Sequence, residues 1–304
     1  MGLFSSRRKV QLEDIGLSAE DLTSRTLWQD AWRRLKKNKI AIISLIVILL
    51  ITLVAIFAPF IAPYDPYTTD IFNKLKGPSD EHIMGTDSIG RDVFSRIIYG
   101  TRISLLVGVV CEAIAVPIGV VLGCIAGYYG GWADMVISRL IEVLGSFPFI
   151  IFALCIMFLI GPGVLNVFVA LGAIGWLGHA RQIRANVIQL KNSEFIDAAR
   201  ASGASDMKII FKHLIPNCLS TVIVVATIDI PGDIMFEATL SYMGLGIQPP
   251  APSWGSMIAE AQTYLRQIPT FSIFPGIAIM LVVLAFNTFG DGLRDALDPK
   301  LKNL

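Results

Sequence analysis

The sequence predicts an all-α integral membrane protein with six transmembrane helices. Three observations carry that prediction. Hydrophobic residues make up 54% of the 304-residue chain and charged residues only 16%, against about 25% charge in a soluble domain. Mean hydropathy is +0.65. The apolar residues gather into six runs, each near the length of about 20 residues that a helix needs to span a hydrocarbon core. Lipid cannot satisfy an open sheet edge, so such runs are helices. The chain has room for several spans but for no large soluble domain.

Residues 1–39 form the N-terminal segment. The opening "MGLFSS" matches an acylation pattern, read as chance because a chain with spans of its own needs no lipid anchor. From Leu17 to Lys39 the pattern is an amphipathic helix. Leu27, Trp28, Ala31, Trp32 and Leu35 recur at helical spacing, with Arg33, Arg34, Lys36 and Lys37 between them. Tryptophan and basic residues beside a span suit the membrane surface. The first span is Ile40–Ala62, which is too long for a signal core.

Residues 63–102 form a loop. Within it, Val93, Phe94, Ile97 and Ile98 share one helical face, with Arg91, Arg96 and Arg102 elsewhere, which predicts a short interfacial helix. A core of residues 103–290 follows, with spans at Ile103–Tyr128, Met135–Ile160, Val164–Ala180, Asn217–Phe236 and Phe271–Phe289. Prolines at Pro117, Pro148, Pro231 and Pro275 are expected to kink or break them. In the second span Cys111, Ala115, Gly119, Gly123 and Gly127 form a stripe of small side chains that lets another helix approach closely. That helix could belong to this chain or to another subunit. Loops are expected at 181–216 and 237–270, and a tail at 291–304.

Lysines and arginines set the orientation. They concentrate before the first span, between the fourth and fifth (Arg181, Arg184, Lys191, Arg200, Lys208, Lys212) and after the sixth (Arg294, Lys300, Lys302). With six spans these regions share one side, expected to be the cytoplasm, with both termini. The net charge of +1 adds nothing, because placement outweighs the sum.

The 181–216 loop contains "DAARASGASDMKIIFKHLIPN", from Asp197 to Asn217. Ser193 can cap a first short helix, and Glu194 favours its positive end. Ala198, Ala199, Ala201 and Ser202 keep it slim, and Gly203 suits a left-handed turn. Ser205 or Asp206 can cap a second helix through Leu214, with Pro216 at its end or bend. The result is a helix–turn–helix. It is either a plug for a groove on another protein or an ordinary loop.

This stretch resembles the EAA loop of ABC importer permeases, E-A-A-x3-G-x9-I-x-L-P. The chain has Asp197-Ala198-Ala199, then Gly203, then His213-Leu214-Ile215-Pro216 at the same spacing. Aspartate replaces glutamate, histidine the isoleucine, and isoleucine the leucine. "GTDSIGRDVFSRIIYGTRISLLVG", "MGLGIQPPAPSWGSM" and "FNTFGDGLRDALDPKLKN" resemble the C-type permease of dipeptide, oligopeptide and nickel importers. The likeness runs from Leu27 onward. It implies a type I importer permease in a bacterial inner membrane, paired with a homologous permease, two cytoplasmic ATP-binding subunits and an external solute-binding protein. The loop would then couple to an ATPase through Glu194, Asp197, Ala198, Ala199, Arg200, Ser202, Gly203, Ala204 and Pro216. The chain has no G-x-x-x-x-G-K-[ST] loop, so ATP and Mg2+ are expected on the partners and no cofactor or catalysis on this chain.

Asp229, Asp233 and Glu237, at i, i+4 and i+8, share a face of the fifth span. An ionised carboxylate costs about 2.5–3.5 kcal/mol at the centre of a lipid-facing helix. The row is therefore expected to face a cavity or a cation as part of the translocation pathway, or to pair with basic residues of the partner permease. Glu112 is a further intramembrane acid, with either a structural partner or a pathway role. Glu142 follows Arg139 by one turn, as a local ion pair would. The four cysteines (Cys111, Cys124, Cys155, Cys218) read as small buried thiols, and His82, His179 and His213 show no metal-site spacing. Nothing marks a nucleic-acid partner. A proton-coupled transporter is the competing class, since it would also use an acidic row but would need no docking loop. An intramembrane hydrolase lacks a serine–histidine motif. A nickel permease remains within the family, without a thiol- or histidine-rich path.

Overall fold

The apolar runs fold as helices, and several helices extend well past the runs that seeded them. The structure is a computed structural model and describes residues 27–297. The expected helix start at Leu17, the "MGLFSS" opening and the tail with Lys300 and Lys302 lie outside the described residues. Among the described residues there is no strand; one isolated antiparallel bridge joins Thr86 and Asp92.

Helix α1 (Leu27–Lys37) buries Ala31 and Leu35 and exposes Trp32, over whose ring Lys36 Nζ sits at 5.2 Å. Asn38 caps α2 (Lys39–Ile56) by accepting a hydrogen bond from the Ala41 amide at 3.1 Å. Ile43, Leu50 and Leu53 are exposed, as on a lipid-facing helix. Pro59 cannot donate to the Ala55 carbonyl, so the expected 40–62 span ends as a separate turn, Ala58–Ile61.

The separate interfacial helix expected before the second span does not form. Val93, Ile97 and Ile98 are the buried start of one 37-residue helix, α3 (Val93–Tyr129), capped by Asp92 accepting from the Ser95 amide at 2.8 Å. The cause is packing: this apolar face lies under Trp254, whose indole N–H donates to the Ile97 carbonyl at 3.2 Å. The third run is also not a straight span. It divides into α4 (Gly131–Gly145) and α5 (Phe149–Ile160), bent by 85°. Pro148 stands between them, lacking an amide proton and steering Phe147 away from helical geometry. Pro117, Pro231 and Pro275 stay inside continuous helices.

Helix α6 (Val164–Leu190) is followed by the short α7 (Glu194–Ala201). A turn of helix at Asp206–Ile209 and a π-turn at Ile210–Leu214 lead without a break into α8 (Ile215–Tyr242). Of the two roles expected for Pro216, an end or a bend, the helix end is not what forms. The widened π-turn moves aside the Lys212 carbonyl, with which the proline ring would otherwise collide. The helix α9 (Trp254–Ala261) starts in a Ser253–Ser256 capping box, and α10 (Thr270–Leu297) closes the described chain. Among the described residues, five helical bodies are long and apolar enough to cross a membrane: α2, α3, α6, Asp206–Tyr242 and α10. The α4–α5 pair makes a sixth if counted as one span.

The small-residue stripe of α3 packs on α6 of the same chain. A Cβ on Gly119 would run into the Cβ of His179, and it would stand 3.0 Å from the Trp176 carbonyl. On Gly123 and Gly127 it would meet Ala180 and Val187 at 2.7 and 2.8 Å. Only hydrogen fits at this crossing, so these glycines set the distance between the two helices. At the far end of α3, Tyr128 donates to Asp206 at 2.7 Å and Lys191 donates to the Gly127 carbonyl at 2.8 Å. Leu35, Ala41 and Ala296 pack together, and Arg294 shares a cavity with Gln189 and Asn217. The basic regions around α1, α7 and the end of α10 thus gather at one end of the bundle. Trp254 and the start of α3 mark the other.

Candidate functional site

Three features occupy the bundle: a protruding helix–turn–helix, a polar cavity, and two sets of buried charges. The helix–turn–helix is built around Ile196 and Ile209, both wholly buried, with Ala199 and Ala204 packed beside them. Gly203 has φ of +77°, a conformation that L-residues other than glycine rarely adopt. Its amide bonds to the Arg200 carbonyl at 2.9 Å, and that of Ala204 to Ala199 at 3.1 Å, so the turn satisfies the last carbonyls of α7. Ser193 and Ser205 hold the N-cap positions without side-chain caps. The Ser193 hydroxyl instead donates back to the Leu190 carbonyl. Glu194, Asp197, Ala198, Arg200, Ser202, Gly203 and Pro216 are exposed. Asp197 pairs with Arg200 at 3.2 Å, and Arg200 lies 5.8 Å from the Tyr128 ring. Phe195, Met207 and Phe211 are exposed around the same turn. Sequence reasoning missed these three; apolar residues on the outer face of a polar loop were the available signal.

A cavity of about 490 Å3 opens between α6, α8 and α10. Its polar lining includes Gln182, Asn186, Asn217, Ser220 and Thr221, with Arg294 at one side. Amides and hydroxyls offer donors and acceptors together with little fixed charge.

Beside this cavity stands the first charged cluster. His179 precedes Gln182 by about a turn on α6, and Asp229 follows Ile228 on α8. His179 Nε2 lies 2.9 Å from Glu112 Oε2 and 3.7 Å from Asp229 Oδ2. Glu112 and His179 are buried, while the Asp229 side chain is 48% exposed. Asp233 is buried one turn beyond, close enough for the charges of Glu112 and Asp229 to act on it. Glu237 is set apart from that row. It is wholly enclosed, and its Oε1 accepts from Ser241 at 2.6 Å and from Ser253 at 2.9 Å. It braces the end of α8 against the cap of α9 and does not face the cavity. His179 has no metal-type spacing in the sequence because its neighbours come from α3 and α8. The local Arg139–Glu142 pair is present at 2.7 Å, exposed on α4.

The second cluster lies at the α9 end and was not legible in the sequence. Arg91 and Arg96, expected off the apolar face of an interfacial helix, are buried. Asp87, also buried, accepts the Ile89 and Arg91 amides at 3.0 and 2.9 Å. Its other oxygen takes the guanidinium of Arg91 at 2.5 Å and that of Arg96 at 3.3 Å. Glu260 on α9 receives Arg91 at 2.9 Å and a hydrogen bond from Ser88. Arg96 also donates to the Pro66 carbonyl at 3.2 Å.

Residues 119–303 match the family described as binding-protein-dependent transport system inner membrane component. Residues 26–78 match the N-terminal TM domain of oligopeptide transport permease C. A dipeptide transport system permease from Alkalihalophilus pseudofirmus is 45% identical over 284 residues, 93% of each chain. A glutathione transport system permease from Pectobacterium atrosepticum is 43% identical, covering 98% of this chain and 99% of its own. An oligopeptide transport system permease from Haemophilus influenzae is 44% identical, covering 92% and 90%. Among solved structures, an inward-facing MetNI methionine ABC transporter matches with a TM-score of 0.56 at 20% identity, over 67% of this chain and 97% of that one. That last likeness concerns the fold alone.

Proposed function

The chain belongs to the family of binding-protein-dependent transport system inner membrane components, and from that premise we propose that it is the permease subunit of an ATP-driven peptide importer, forming half of the translocation pathway. The observation that carries the coupling part is the helix–turn–helix, whose exposed Phe195, Met207 and Phe211 surround the Gly203 turn. Exposed aromatic and methionine side chains beside a slim alanine helix suit a groove on another protein. In this reading the groove belongs to a cytoplasmic ATP-binding subunit, one of two. ATP and Mg2+ sit there, and this chain binds neither. A homologous permease supplies the other half of the path, and an external binding protein delivers solute to the α9 end. Both termini then face the cytoplasm of a bacterial cell.

The path itself is proposed to run along the amide-lined cavity and past Glu112, Asp229 and Asp233. Peptides fit this wall because they present amide groups throughout, and three permeases similar to this chain are named for dipeptides, glutathione and oligopeptides.

The test is the Gly203→Val variant. A Cβ there meets nothing within 4 Å, so the defect is confined to the φ of +77° and the shape of the turn. The variant is expected to insert into membranes normally, to lose the ATP-binding subunits on purification, and to stop ATP-dependent peptide uptake. Uptake by this chain expressed without any ATPase would instead favour a proton-coupled carrier.

A further inference from the structure

We propose that Glu112, His179 and Asp229 form a binding site for a divalent transition-metal cation between α3, α6 and α8. Each residue offers one ligand atom, and the three atoms lie within 4.8 Å of one another. Ligands about 2.0–2.2 Å from a shared ion stand about 3–4 Å apart at angles from 90° upward. The 2.9 and 3.7 Å separations from His179 Nε2 match that spacing.

Two independent observations point to a missing cation rather than a finished ion pair. Glu112 is 6% exposed and His179 2%, and Glu112 Oε2 and His179 Nε2 face each other at 2.9 Å without the alignment of a hydrogen bond, neither having another hydrogen-bond partner. Buried polar atoms so poorly satisfied are costly. The second observation is the charge count. Glu112, Asp229 and Asp233 place three carboxylates together, and among the described residues only His179 lies at ion-pair distance from any of them. One imidazole, at most singly charged, cannot balance the Glu112 and Asp229 carboxylates together, whereas a divalent ion beside a neutral imidazole can.

The ligand types narrow the ion. An imidazole nitrogen with carboxylate oxygens suits zinc, nickel, cobalt or copper, while magnesium and calcium prefer oxygen alone. Asp229 is the open side of the site, and it leaves a coordination position for water or for a group on a passing solute. Gly119 holds α6 close enough to α3 for the set to assemble.

The metal site stands on its own geometry and only its contact with a passing solute rests on the transport reading, so its test reads binding rather than uptake. The assembled complex, purified without a polyhistidine tag and stripped with chelator, is titrated with Zn2+ by calorimetry and with Co2+ by visible absorption. The wild type is expected to take up one equivalent more per chain than His179→Gln or Asp229→Asn. Affinity at that equivalent should fall by more than about 100-fold, beyond the usual loss for an outer-shell change. Excess Mg2+ should not displace it. Pulsed EPR of the Cu2+-loaded wild type should show a directly bound imidazole nitrogen, a readout that needs no variant to fold. Equal stoichiometry in wild type and variants overturns the proposal, as does a Cu2+ spectrum without imidazole. A lysyl dipeptide that fills the site without metal would assign it to an ammonium group and overturn it equally.

Discussion

At the α9 end of the bundle, Asp87 and Glu260 meet Arg91 and Arg96, two negative charges against two positive. Around His179, by contrast, Glu112, Asp229 and Asp233 meet a single imidazole. Both sets are largely enclosed, so both had to surrender hydration. They differ in whether the protein supplies the compensation itself. Asp87 is saturated by two amides and two guanidinium groups, and nothing need arrive for it to be stable. The acids near His179 are left short of positive charge. Balanced buried charge fixes architecture; unbalanced charge beside a cavity leaves room for a ligand.

Breaking the balanced set should produce the largest effect. Arg96→Ala leaves the wholly buried Asp87 with half its cationic neighbours, and removing one partner of a buried pair costs about 3–5 kcal/mol. A thermal melt of the purified chain in detergent should show this as a large loss of stability and yield. Gly119→Leu comes next. It forces side-chain atoms into the α3–α6 crossing, where overpacking costs about 1–3 kcal/mol, and it should weaken metal uptake at His179 along with stability. The smallest effect on stability should come from Asp233→Asn. Replacing a buried carboxyl whose charged neighbours are acids by a neutral amide should leave the melting temperature unchanged or raise it. A loss as large as that of Arg96→Ala would erase the distinction between the two clusters.

The same contrast explains what could be read in advance. The helices were legible because each apolar run reports its own solvent, and the Gly203 turn because its residues are consecutive. The acidic row was legible as a periodicity, but its division was not. Glu237 leaves the row through Ser253, sixteen residues away, and no local pattern announces that bond. Arg91 and Glu260 are 169 residues apart, so the arginines looked like solvent-facing charge on a short helix. Pro148 was visible as a break, but the size of the 85° turn was not.

The π-turn before Pro216 has a mechanical consequence. Because it lets the helix pass the proline, Asp206 and Asp229 belong to one continuous helical body, with about 35 Å between them at the helical rise. Were it to pivot by about ten degrees around the level of Asp229, its lower end would sweep about 6 Å, while Asp229 itself would mainly rotate in place. A coarse stroke outside the bundle would thus be geared down to a fine adjustment of one carboxylate's bearing toward His179.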